Sequence, residues 1–191
     1  MSIFTREQAW NGGTYGLAIV VRPPDADAVQ RLLSVFWKSQ NVSGPYVRRD
    51  REPADQQPVE PLLEPPDLYG VATINGLELV CSSTVVRMPD EDWLYLTVPM
   101  GAIHDRFNVD VNAPVEQPSW EPMLLPWFID RARALAASDS FHIAFAGWFG
   151  DNAEDDELDR FDQLGSVPSE RVLGYFVPKA AEPWFPPTNR S

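Results

Sequence analysis

The chain has 191 residues, 44% hydrophobic and 12% aromatic, with a formal net charge of −13, so a sizeable core can form in one domain. That charge repels phosphate backbones, which argues against nucleic-acid binding by counterion release. No apolar run is long enough to span a bilayer, the single cysteine leaves no internal disulfide, and no basic-then-apolar leader opens the chain; a cytoplasmic protein without a membrane anchor is expected.

Asn11, Gly12 and Gly13 mark a turn into a strand over 14–22, with Tyr15, Leu17, Ile19 and Val21 on one face and Gly16 and Ala18 on the other. Residues 23–40 predict a helix. Asp25 is placed to cap it, and Val29, Leu32, Leu33 and Phe36 recur at helical spacing, which lays that stripe on the sheet. Residues 43–67 hold six of the nineteen prolines and little periodicity, so they read as a long Pro-rich arm that cannot pair as a central strand. From 68 to 98 the pattern is a three-stranded meander. Its first turn is Asn75-Gly76, and its last strand has Leu94, Leu96 and Val98 alternating with Trp93, Tyr95 and Thr97.

Residues 101–107 suggest one helical turn and 108–118 a loop. A helix follows whose regular part starts near Pro126, with Phe128, Ala132 and Leu135 toward the core. Then come a buried strand over 140–150 with Phe141, Ile143 and Phe145 on one side, an acidic helix, a strand over 171–178 and a Pro-rich tail at 179–191 containing Trp184 and Phe185. The order predicts an α+β fold, a single domain with a mainly antiparallel sheet of about five to six strands and two to three helices packed mostly on one face.

No motif settles the chemistry. An EF-hand register from Asp151 puts Ala153 where an oxygen is needed and Asp156 where the turn glycine belongs. One cysteine and two histidines without ligand spacing give no zinc site, and no metal or other cofactor is expected. Gly12-Gly13 precedes a strand, the wrong order for a phosphate loop, and there is no G-x-S-x-G elbow. Cys81, His104 and His142 are the alternative catalytic candidates. Cys81, however, is in phase with Leu77 and Leu79, as a small core residue would be.

The stretch 151–162 carries seven acids and one arginine, almost half of the net charge. Asn152 is a fitting N-cap, the acids at 154–156 suit the positive end of the helix dipole, and Leu158, Phe161 and Leu164 form an apolar stripe ending before Gly165. Capping and dipole account for part of that charge; the surplus costs self-repulsion and points to a basic protein partner. The expected partner-binding residues are Glu154, Asp155, Asp156, Glu157 and Asp159, with Trp148 beside them.

The segments WNGGTYGLAIVV, DREP, LYGVA, DWLYLTVPMGA and VLGYFVP together resemble a group of small uncharacterised bacterial proteins. That resemblance covers most of the chain. It implies a bacterial single-domain protein and carries no activity and no site residue. The functional expectation is a non-enzymatic binding module of the immunity or inhibitor type. The alternatives are an enzyme built on Cys81, His104 or His142, and a self-associating subunit docked through the arm and the tail.

Overall fold

The computed structural model describes residues 2–107, 120–150 and 153–188; the loop expected over 108–118 and the cap expected at Asn152 lie outside them. The fold is α+β, with one antiparallel sheet of eight strands and four α-helices among the described residues. In chain order the elements are β1 (Thr14–Val21), α1 (Ala26–Trp37), β2 (Val42–Tyr46), β3 (Asp67–Ile74), β4 (Leu77–Arg87), β5 (Asp92–Pro99), α2 (Met100–Phe107), α3 (Glu121–Ser138), β6 (Ile143–Phe149), α4 (Ala153–Leu164), β7 (Gly174–Phe176) and β8 (Trp184–Phe185). The strands lie side by side as β2-β3-β4-β5-β1-β6-β7-β8. Both strands and helices outnumber the expectation.

The central strand shows why the sheet needs cover on both faces. Tyr15, Leu17, Ile19 and Val21 of β1 point to one layer, with α1 and α3 packed over it, and Ala18 and Val20 point to the other. Leu94, Leu96 and Val98 of β5 join the first layer and Trp93 the second, the two-sided pattern read from the sequence. On the first face α1 buries Val29, Leu32, Leu33 and Phe36, as predicted, and the Asp25 carboxylate accepts the Asp27 and Ala28 amides at 3.0 Å each. Each such buried side chain contributes about 1.5–3 kcal/mol. Asn75 (φ 50°) and Gly76 (φ 80°) turn the β3–β4 hairpin in the left-handed region that the tight primed turn demands.

Several local expectations change. Residues 42–46, to which sequence alone assigns no strand, pair at the outer edge of β3; this is an edge position and not a central one, where Pro45 removes only one outward amide. The arm beyond is held down: the Val59 amide donates to the Pro45 carbonyl, the Gln30 side chain donates to that of Pro61, and Val59 and Leu63 pack on the core. The tail folds back as β8 on β7, and the Thr188 amide donates to the Arg171 carbonyl at 2.9 Å. Residues 100–107 are a full eight-residue helix, tight against the N-terminal 3-10 turn Glu7–Trp10; a Cβ on Gly101 would strike the Gln8 carbonyl. Helix α3 begins at Glu121, five residues before the predicted start, because Pro122 occupies its first turn, where no amide is needed. Phe141 stands just ahead of β6 and joins the first layer, against Phe176, while Ile143 and Phe145 join the second.

Helix α4 is the exception to the one-sided arrangement. It crosses the second face, with Leu158 packed among Trp93, Phe145, Leu173 and Tyr175. Leu164, expected as its third apolar anchor, is 61% exposed. The helix ends there, at Gly165 (φ 63°), beyond the edge of the cluster it covers. Among the described residues no helix is long and apolar enough to cross a membrane.

Candidate functional site

Six of the twelve residues of α4 are acids, and the fold divides them into two sets. Glu157 is 2% exposed. Its carboxylate accepts the Val172 amide at 2.7 Å, the Tyr175 hydroxyl and an Arg160 guanidinium N–H at 3.3 Å. Burial first, and the Glu157 carboxylate second, hold the Tyr175 phenol well above its ordinary pKa. Glu157 thus fastens α4 to the segment before β7. Glu154 is likewise buried, at 9% exposure, and lies against the Tyr95 hydroxyl. Both had been expected on the partner-facing surface; helical spacing instead turns positions 154, 157, 158 and 161 toward the sheet.

Asp155, Asp156 and Asp159 remain on the outside, exposed and without a salt bridge among the described residues. Asp155 and Asp159 stand one helical turn apart, a spacing at which like charges repel. Burial raises the pKa of Asp155, and Glu91, Asp159 and Asp156 raise it further. Asp162, by contrast, pairs with Arg22 at 2.6 Å. The one base of the helix, Arg160, leans back onto Glu157 and donates to the Glu170 carbonyl at 2.5 Å. The exposed flank of α4 is therefore an uncompensated anionic strip.

Sequence reasoning missed the sheet side of this strip. Glu91, in the turn before β5, is 8% exposed and binds Arg22 with one oxygen and the Trp93 indole N–H with the other, at 2.8 Å. Tyr95 stacks on Trp93 with ring centroids 5.7 Å apart and meets Phe149 edge-on. Burial lifts the Tyr95 phenol far above its usual value, and Glu154, Asp155 and Glu91 add to the shift. The Tyr95 hydroxyl thus lies in the field of three carboxylates. Their sequence separation, and a turn full of acids at 90–92, left no local signal of that meeting.

Trp148, expected beside the acids, is 45% exposed but on the other side of the sheet. It pairs in register with Tyr15, a residue of the first layer, and its ring covers Gly13; Phe149, one residue on, faces α4's layer. The fold separates Trp148 from Asp155, Asp156 and Asp159.

The catalytic candidates also fall apart. Cys81 is 1% exposed on the face covered by α1 and α3, and burial alone raises its thiol pKa, with no cation beside it to favour the thiolate. His142 sits against the Phe161 ring and 3.7 Å from Asp162, on the α4 side. Strands β5 and β1 lie between the strand of Cys81 and the one that follows His142, a separation of about 14 Å. His104 is half-buried on α2, and its neighbour Asp105 is taken by Arg6 at 3.0 Å.

Two open grooves mark the surface. The larger, about 680 Å³, runs between the N-terminal segment and the β2–β3 edge. Three of its charged groups are engaged within the chain: Glu52 by the Ser2 and Thr5 hydroxyls, Arg6 by Asp105, Arg106 by the Glu78 carbonyl. The smaller, about 420 Å³, follows α4 between Asp156, Asp159, Gln163 and Val172. Among the described residues no group of three or more histidine, cysteine or acidic side chains has the arrangement of a metal site. Comparison with family models, curated proteins and solved structures finds no match to this chain.

Proposed function

We propose that this protein is a non-enzymatic binding module of the immunity or inhibitor type, whose partner is a basic protein met by the exposed flank of α4. One observation carries the reading: Asp155, Asp156 and Asp159 stand exposed, without a salt bridge among the described residues, on a helix whose only base, Arg160, is bonded to Glu157 and the Glu170 carbonyl. Such a strip raises the energy of the free protein by self-repulsion, and a cationic surface relieves it. The whole chain, at −13, steers a basic partner from a distance; the strip supplies a place for it to land. The separation of Cys81 from His142, and the burial of the thiol, favour binding over catalysis.

The test is the association rate of the full chain with an oligoarginine peptide, measured at low and high salt. Replacing Asp155, Asp156 and Asp159 together by asparagine is expected to slow association about tenfold at low salt. Replacing Glu60, Glu64 and Glu182 by glutamine removes the same charge elsewhere and is expected to change the rate less than about twofold. A rate insensitive to salt, or equal losses from the two triple variants, would overturn α4 as the landing surface.

A further inference from the structure

The larger groove, between the N-terminal segment and the β2–β3 edge, has a floor that the sheet builds. Thr73 of β3 pairs with Glu78 of β4, and the Thr73 amide donates to the Asn41 carbonyl at 2.7 Å, so Asn41, Thr73 and Glu78 line the groove as one row. Neighbouring strands stand about 4.8 Å apart, which makes that row about 10 Å long. Ser43 and Val71, paired two residues further along, point to the same face. Residues 2–4 and 52–55 form a wall, tied together where the Ser2 and Thr5 hydroxyls meet Glu52. The Asn41 amide, the Thr73 hydroxyl and the Asp55 and Glu78 carboxylates make no hydrogen bond or ion pair among the described residues. Arg106 spends only its Nε, on the Glu78 carbonyl at 3.0 Å, which fixes the guanidinium and leaves its outer nitrogens unused. Ile3, Val42 and Val71 add an apolar strip beside these groups.

We propose that this groove binds a neutral saccharide, with Arg106 donating to and Glu78 accepting from its ring hydroxyls, Thr73 and Asn41 serving the next ones, and Val71 under a C–H face. The site is separate from α4 and does not rest on the basic-partner reading. Its volume, about 680 Å³, is that of a small-molecule site. The choice of ligand follows from charge. Arg106 hydrogen-bonds the main chain of Glu78, so a cation and an anion share one corner of the groove. A cationic ligand is opposed there by the guanidinium, and an anionic one by the carboxylate and by the −13 of the chain. A hydroxyl both donates and accepts, so a polyol satisfies both groups, and hydrogen bonds to charged groups are the stronger kind. Guanidinium and carboxylate are planar and each presents two atoms, which suits two adjacent hydroxyls on one ring.

The experiment screens the full chain on an array of neutral hexosides, N-acetylhexosaminides and their short oligomers. The glycan giving the strongest signal is then titrated in solution by NMR, with zwitterionic glycylglycine and dicationic putrescine as comparison probes. Saturable shifts centred on Val71, Thr73 and Arg106 are expected for the glycan, with an affinity that salt leaves nearly unchanged because the ligand carries no charge. Glu78→Ala and, independently, Arg106→Gln should each weaken it about tenfold, while Glu182→Gln leaves it unchanged. Glu78 is exposed, so its variant keeps the test open if Arg106→Gln disturbs α2. The saccharide site is overturned if no glycan saturates, if glycylglycine or putrescine binds these residues more tightly than any glycan, or if both variants bind as the native chain does. None of these outcomes bears on the oligoarginine association at α4, so the two readings stand or fall separately.

Discussion

The Tyr175 hydroxyl donates to the Glu157 carboxylate, so the most deeply buried acid of the acidic helix is a fastening between α4 and β7. The same carboxylate accepts the Val172 amide, which leaves neither donor unpaired.

Glu157→Ala strands the buried Val172 amide and leaves the Tyr175 hydroxyl only the Glu157 carbonyl, at 2.9 Å; it is expected to cost about 2 kcal/mol, while Asp156→Ala, on the exposed flank, should stay within about 0.5 kcal/mol. Urea unfolding monitored by tryptophan fluorescence compares the two. Equal, small effects would mean that α4 is held by Leu158 and Phe161 alone.

Glu154 makes the opposite kind of contribution. Burial raises its pKa, with Asp155 adding to the shift and the Tyr95 hydroxyl opposing it; Glu91 lies in the same field around that hydroxyl. A carboxyl whose folded pKa is raised imposes no penalty at a pH below its unfolded value, and the full penalty once pH has risen through the folded one. Glu154→Gln is therefore expected to stabilise the free protein at neutral pH, with the gain fading as pH falls through the carboxylate range. Thermal unfolding across that range checks the sign; a destabilised variant at neutral pH would show that the charge is compensated.

The Cys81 thiol, buried and without a cationic neighbour, is expected to be inert in the native state. Ellman's reagent should react only as fast as the protein unfolds. Rapid native-state labelling would place the thiol in an open site and revive the enzymatic alternative.

Phe36→Ala on α1 is expected to cost about 3 to 5 kcal/mol, since that ring is 1% exposed in the core. It also contacts Trp37 and Trp127 edge-on, so near-ultraviolet circular dichroism should change with stability. An unchanged midpoint in denaturant would contradict the packing of α1 on the sheet.

Where the sequence was legible, the signal was local. The stripe of α1 and its Asp25 cap, the Asn75-Gly76 turn and the two-faced alternation of β5 all lie within a few residues of one another. Strands β2 and β8 were not legible, because five and two residues containing or flanked by proline have no pattern of their own; their neighbours in the sheet supply the pairing. The candidate site was half legible. Acid content located α4, yet composition treats every acid as solvated, and only the Tyr175, Val172 and Tyr95 partners, distant in sequence, reveal which two are not. Trp148 was misplaced because alternation along β6 assigns faces only once the pairing with Tyr15 is known.

The two outermost strands have a consequence for recognition. One carries Pro45, and the other is two residues long between Pro183 and Pro186. Neither offers a visiting chain an unbroken row of amides and carbonyls to zip onto. A partner is thus denied the permissive, backbone-to-backbone mode of attachment that almost any extended peptide satisfies. Any partner of this chain would have to be chosen by side-chain contacts instead.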